Sequence, residues 1–275
     1  AVGRSALRGS TTASGLTAIG QESLRENTTG ASNTAVGYRA LMVNTTGGSN
    51  TALGGATLFT NSGGSGNTAV GSRALNANTT GNDNTAVGRD ALFSNGSGFS
   101  NAALGTEALY FNTTGSNNTA LGVNALRSNT TGVQNTALGS HAMFSNTDGA
   151  ANIALGHDAL FANTLGDNNV AVGQNALQNN INGVSNIAIG SNAMNTNTSG
   201  DLNIAIGGGA LQNNTTAQNN VAIGQNTLFS NTTGTQNTGI GVSALNANTT
   251  GSYNTANGVD ALGANSIGIY NTAMG

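Results

Sequence analysis

The chain has 275 residues and a formal net charge of −3, with 6% charged and 4% aromatic side chains and no cysteine, proline or lysine. The absence of cysteine excludes disulfides, dithiol redox chemistry and thiolate metal sites. An acidic balance with seven arginines as the only strong bases argues against nucleic acid, whose phosphates are met by basic side chains, and no apolar run approaches the ~20 residues of a membrane-spanning helix.

In chain order the same unit returns throughout, seen clearly at Asn33-Thr34-Ala35-Val36-Gly37, followed by Ala40-Leu41 and then Asn44-Thr45-Thr46-Gly47. The glycine closing each motif recurs every 17 residues from Gly3 to Gly275, and (275 − 3)/17 = 16, so the chain is sixteen whole repeats without an insertion. Unbroken periodicity of this kind is the signature of a solenoid, and it predicts a single repeat array over residues 1–275 rather than separate globular domains. The apolar fraction is largely alanine, so burial has to come from stacking one repeat on the next. The missing proline agrees with a backbone hydrogen-bonded to a neighbour on both sides. Ala1-Val2-Gly3 already lies inside a repeat, which predicts no leader peptide at this end. Both ends fall in mid-repeat, which predicts a piece of a longer fibre or a filament joined end to end.

With each closing glycine as position 0, position 0 is always Gly and position 10 is Gly in 14 of 16 copies, Ala13 and Ala217 being the departures. Glycine reaches positive φ at no steric cost, so Gly37, Gly47, Gly190 and Gly207 are expected to form two turns per repeat. Position 4 is Leu except at Met143 and Met194, and is expected to point inward. The seven-residue piece that carries it is too short and too closely bracketed by glycine for a helix. Asparagine occupies positions 7 and 13 except at Ser10 and Leu16. Identical amides stacked at the ~4.8 Å strand spacing hydrogen-bond along the stack, so Asn44 and Asn180 in one column, and Asn50, Asn186 and Asn203 in the other, are expected to be ladders.

The strand signal lies at positions 14 to 16. Positions 14 and 16 favour Thr, Val and Ile and share a face, while position 15 is Ala in all copies but Gly239. With the β-branched columns filling the interior beside Leu, Ala35, Ala188, Ala205 and Ala222 are expected to face outward and to line an oligomer contact, since an open outward column would vary as positions 1 and 2 do. The reverse assignment places alanine inside a very thin roll and the Thr/Ile column at the interface.

The remaining columns vary and mark the surface. Aromatics gather at position 5, as in Phe93, Tyr110, Phe144 and Phe161, and are read as wide side chains shielding a lean sheet in preference to a sugar- or protein-binding stripe. Asp90 and Glu107 lie one repeat apart, near the ~5 Å separation of a retaining glycosidase pair, but Arg73 in the same column neutralises them and no catalytic residue is assigned. His141, His157 and Asp158 gather across two repeats; on an open surface without supporting contacts they read as exposed polar residues, and no metal or cofactor is assigned. No phosphate-binding loop, dinucleotide fingerprint or nucleophile elbow has its required context. Asn-Thr-Thr triplets such as those at Asn27, Asn44 and Asn78 match the glycosylation acceptor pattern. Stacked threonines at positions 8 and 9 suggest an ice-binding solenoid as the alternative, although Gly63, Gly96, Asp148 and Leu165 interrupt them.

At Asn186-Ile187-Ala188-Ile189-Gly190 and Asn203-Ile204-Ala205-Ile206-Gly207 the chain resembles the head repeats of trimeric autotransporter adhesins, and it is similar to repeat regions of phage tail fibres. The resemblance covers every repeat, and this chain's period is longer by an Asn-Thr-Thr-Gly arm. It implies a left-handed parallel β-roll in which three chains lie side by side. The expected class is therefore all-β, a parallel β-solenoid of sixteen 17-residue rungs associating as a homotrimer. The expected function is a non-enzymatic structural fibre or adhesin shaft, extracellular, at a cell surface or on a virion, forming a rigid rod or filament; ice or glycan binding is the alternative. The partners expected are further copies of the chain and a cell-surface glycan or protein receptor, with neither nucleic acid nor membrane insertion.

Overall fold

A computed structural model describes all 275 residues. The chain is all-β, without a helix, and forms two compact units, Ala1–Asn135 and Thr136–Gly275. The first holds β1 (Thr17–Ile19), β2 (Thr34–Val36), β3 (Thr51–Leu53), β4 (Thr68–Val70), β5 (Thr85–Val87), β6 (Ala102–Leu104) and β7 (Thr119–Leu121). The second holds β8 (Thr136–Leu138), β9 (Ile153–Leu155), β10 (Val170–Val172), β11 (Ile187–Ile189), β12 (Ile204–Ile206), β13 (Val221–Ile223), β14 (Thr238–Ile240), β15 (Thr255–Asn257) and β16 (Thr272–Met274). Within each unit every strand pairs in parallel with its sequence neighbour at a register of one repeat, as in Ala35↔Ala52 of β2 and β3 and Ala188↔Ala205 of β11 and β12. Each unit is a parallel β-solenoid, one 17-residue turn per strand.

The rest of each turn is also tied to its neighbours, so the ladder runs all the way round. The Leu41 N–H donates to Thr57 O at 3.0 Å and the Val43 N–H to Phe59 O at 3.1 Å in the following turn; the Gly37 and Arg39 N–H groups donate backward to Ile19 O and Gln21 O at 2.7 and 2.9 Å. This explains the missing proline, since almost every N–H of the turn is a donor in the stack.

In both glycine columns an added Cβ would collide with the carbonyl of the next turn, and the columns differ in backbone conformation. At position 0 the glycines sit at positive φ, +139° at Gly37, +134° at Gly190 and +136° at Gly207. Position 10 is not a positive-φ site, contrary to the expectation for Gly47. Its glycine is required because a methyl group there would collide with the Gly64 carbonyl and fall 2.7 Å from Asn44 Oδ1 and 2.8 Å from Asn61 Nδ2. Where alanine does occupy the position, at Ala217, the Asn214 side-chain bond to its carbonyl lengthens to 3.2 Å, against 2.9 Å for Asn231 on Gly234 in the next turn.

The left-handed region is instead entered by ordinary residues at positions 2, 4 and 12: Arg39, Leu41 and Ser49 have φ of +56°, +50° and +58°, and the pattern recurs in turn after turn. A non-glycine residue there costs roughly 1–3 kcal/mol and persists only when its surroundings over-determine it, which the ladder on both sides does. Position 2 carries Asn and Asp repeatedly, as at Asp90, Asn124, Asn175 and Asn192, the residues that tolerate this region best.

The core is thin and contains little but Ala, Leu and Asn. Fully buried columns are position 3 (Ala40, Ala193), position 4 (Leu41, Met194), position 7 (Asn44, Asn180), position 13 (Asn50, Asn186) and position 15 (Ala35, Ala188, Ala205, Ala222). The assignment of Ala35, Ala188, Ala205 and Ala222 to an outward contact is therefore corrected: they face inward and are 0% exposed in the single chain. The physical reason is space. At Gly239, the one exception in the column, an added Cβ would lie 2.7 Å from Thr227 Cγ2 and 3.7 Å from Leu228 Cδ1, so position 15 packs directly on positions 3 and 4 across the roll, and nothing wider than a methyl fits opposite leucine.

Candidate interaction face

Both asparagine columns are the expected ladders. At position 7 the Asn44 amide donates to Asn27 Oδ1 at 2.6 Å and to Gly47 O at 2.9 Å, while its own Oδ1 accepts from Asn61 Nδ2 at 2.8 Å. Asn180 repeats this with Asn163, Gly183 and Asn197 at 2.8, 3.0 and 2.8 Å. At position 13 the side-chain oxygen also accepts a backbone N–H from the next turn: Asn203 N to Asn186 Oδ1 is 3.0 Å, and Asn67 N to Asn50 Oδ1 is 2.9 Å. Buried amides with both ends bonded carry no desolvation deficit. The same burial removes Asn27, Asn44 and Asn78 from reach as glycosylation acceptors in the folded chain.

Inward alanine turns positions 14 and 16 outward. None of the sixteen strands buries either residue; Ile19, Leu53 and Leu104 of the first unit are 46%, 43% and 48% exposed, and Ile153, Ile189 and Ile240 of the second 45%, 38% and 40%. In each unit the widest aliphatic side chains of the strands thus line one narrow outer sheet face two side-chain columns across, while alanine fills the inside. Thr occupies position 14 through most of the first unit, and Ile153, Val170, Ile187, Ile204 and Val221 replace it in the second.

The position 8 threonines serve the stack: Thr28 Oγ1 donates to Thr45 O at 2.9 Å, and Thr45 Oγ1 to Ser62 O at 2.8 Å. The position 5 aromatics are half-buried and stack along the turns, Phe93 on Tyr110 at 5.0 Å and Phe144 on Phe161 at 5.2 Å.

The carboxylates suggestive of glycoside chemistry are engaged by arginine. Asp90, almost fully buried, lies 2.8 Å from Arg73 Nε and 3.6 Å from Arg89; Glu107 lies 2.8 Å from Arg127 Nε and 3.8 Å from Arg89. Nearer the N-terminus Arg39 Nε donates to Glu22 at 2.7 Å, and this bond holds the Glu22 carboxyl below its ordinary value of 4.5. Stabilisation from that pair is complete above the ordinary carboxylate range and is lost as pH falls through the lowered value. In the second unit His141, His157 and Asp158 do come together, each offering a ligand atom within 4.8 Å of the others.

The positive-φ positions 2, 4 and 12 are the structural residues that reading the sequence missed; the recurrence of Asn and Asp at position 2 was the available signal. No protein-family model matches the chain, and no curated protein matches it.

Proposed function

We propose that the chain is a structural fibre or adhesin-shaft segment that associates with further copies of itself, three side by side, through the outer face formed by positions 14 and 16. The observation that carries this reading is the inverted use of apolar residues: alanine is buried, while isoleucine, leucine and valine stand partly exposed, at position 16 in both units and at position 14 in β9 to β13 of the second. Contiguous apolar surface of that kind marks an interaction site, and a face only two side chains wide suits convergence on a shared axis, each chain giving one face to a closed cyclic assembly. The resemblance to trimeric adhesin heads and phage fibre repeats supports the same arrangement and an extracellular or virion setting. No residue is given a catalytic role, because Asp90 and Glu107 are each neutralised by arginine.

Ice binding is the second reading, favoured by the column Thr34, Thr51, Thr68 and Thr85, which stands outward in register beside an aliphatic column. The double variant Ile189→Asp, Ile206→Asp tests the main proposal. Both side chains point outward, so circular dichroism is expected to stay native while the assembly dissociates. A native fold with unchanged assembly would rule out this face as the contact, and thermal hysteresis in the unmutated chain would favour ice.

A further inference from the structure

We propose that His141, His157 and Asp158 form a binding site for one divalent transition-metal ion of the zinc type in the second unit. His157 and Asp158 occupy positions 1 and 2 of one turn and His141 position 2 of the turn before, so the 17-residue stack delivers three ligands from two turns. His141 Nδ1 lies 3.6 Å from Asp158 Oδ1, and His157 Nδ1 lies 3.3 Å from Asp158 Oδ2. Two donors bound tetrahedrally at about 2.0–2.1 Å from zinc stand roughly 3.3 Å apart, so each histidine lies near that separation from one of the two oxygens of the Asp158 carboxylate. Gathering all three needs the two imidazoles to close from a spread within 4.8 Å, and His157, 54% exposed, is free to turn.

Two features separate this cluster from an arbitrary group of polar side chains. Position 2 carboxylates of the first unit, Glu22, Asp90 and Glu107, each face an arginine, whereas all seven arginines precede residue 136 and Asp158 faces two imidazoles instead. His141 is also held in place: its ring lies edge-on to the stacked pair Phe144 and Phe161, at 5.8 and 6.4 Å. This aromatic wall on one side is the supporting contact that the sequence alone did not reveal. Two imidazoles with one carboxylate suit zinc, nickel or copper, while calcium and magnesium call for oxygen ligands throughout. Three protein ligands leave a fourth position for water. The bound ion would clip the turns that begin at Gly139 and Gly156.

The test is isothermal titration of the full chain, prepared without added histidines, with zinc chloride, alongside His157→Gln and Asp158→Asn. The unmutated chain is expected to take up one zinc saturably at micromolar concentration, with magnesium unable to compete, and each variant to lose at least about tenfold in affinity. His157 is exposed, so His157→Gln keeps its fold; a zinc-dependent rise in the melting temperature of the unmutated chain that disappears in this variant is a second readout. Absence of saturable zinc binding, or binding that survives unchanged in both variants, overturns the proposal.

Discussion

Each buried asparagine joins three turns, and that is why the columns admit no substitute in the interior of the stack. Removing the Asn186 side chain leaves the buried Asn203 backbone N–H without its acceptor at 3.0 Å, and takes one bond each from the Asn203 side chain, Gly200 O and Asn169 Oδ1, which keep Ala217 O, Asn197 Nδ2 and the Asn186 backbone N–H as partners. At about 1–3 kcal/mol for a buried group left unpaired, Asn186→Ala is expected to lower the unfolding free energy by at least that much in urea titration. A loss of a few tenths would mean the amides are ordinary loop residues. Leucine at position 4 tests the backbone in the same way. Leu92 sits at φ +51°, and Met143 and Met194 occupy the same site at +53° and +47°. A γ-branched or unbranched chain tolerates that φ, whereas a β-branched one is a genuine outlier there. Leu92→Met should therefore cost less than about 1.5 kcal/mol, and Leu92→Ile about 1–3 kcal/mol more through strain; equal losses in thermal or urea unfolding would show that backbone strain plays no part.

The strand shows how far sequence reasoning reached and where it stopped. Period-two alternation separates position 15 from positions 14 and 16 without ambiguity, and the 17-residue spacing fixes parallel pairing at a register of one repeat, so both were legible. Which face turns inward was not, because the usual rule that aliphatic residues are buried runs one way only. The interior here is already occupied by Leu41-type side chains and two asparagine columns, and only a methyl fits beside them. Variation between repeats held the signal: positions 0, 3, 4, 7, 10, 13 and 15 barely change and are interior or sterically pinned, whereas position 14 ranges over Thr, Ala, Val and Ile and position 16 over Val, Leu, Ile, Met and Asn257. The glycine columns were alike in sequence too: Gly37 and Gly47 both face a neighbouring carbonyl, and only Gly37 also needs a positive φ. Ala188→Leu is the element-scale test. Overpacking an interior costs typically 1–3 kcal/mol, so the variant should unfold more easily whatever its state of association. A variant with native stability that had lost only its self-association would restore Ala188 to the surface.

At the scale of the whole molecule, one repeated turn leaves both units with the same imbalance: a core of alanine, leucine and amide, and an outer sheet face that carries the larger aliphatic side chains of position 16, beside threonine in most of the first unit and beside Ile and Val in β9 to β13 of the second. Local charge chemistry decorates this plan without altering it, arginine pairing with carboxylates in the first unit and imidazoles doing so in the second. The imbalance accounts for the proposed association more directly than any single residue does, because covering the face buries apolar columns that a lone chain leaves in water, at roughly 25 cal/mol per Å² of apolar surface removed. Sedimentation equilibrium of the unmutated chain over the low micromolar range is therefore the most direct measurement. The account predicts a β-rich species of three times the chain mass, and a chain that is fully folded yet monomeric across that range would contradict it.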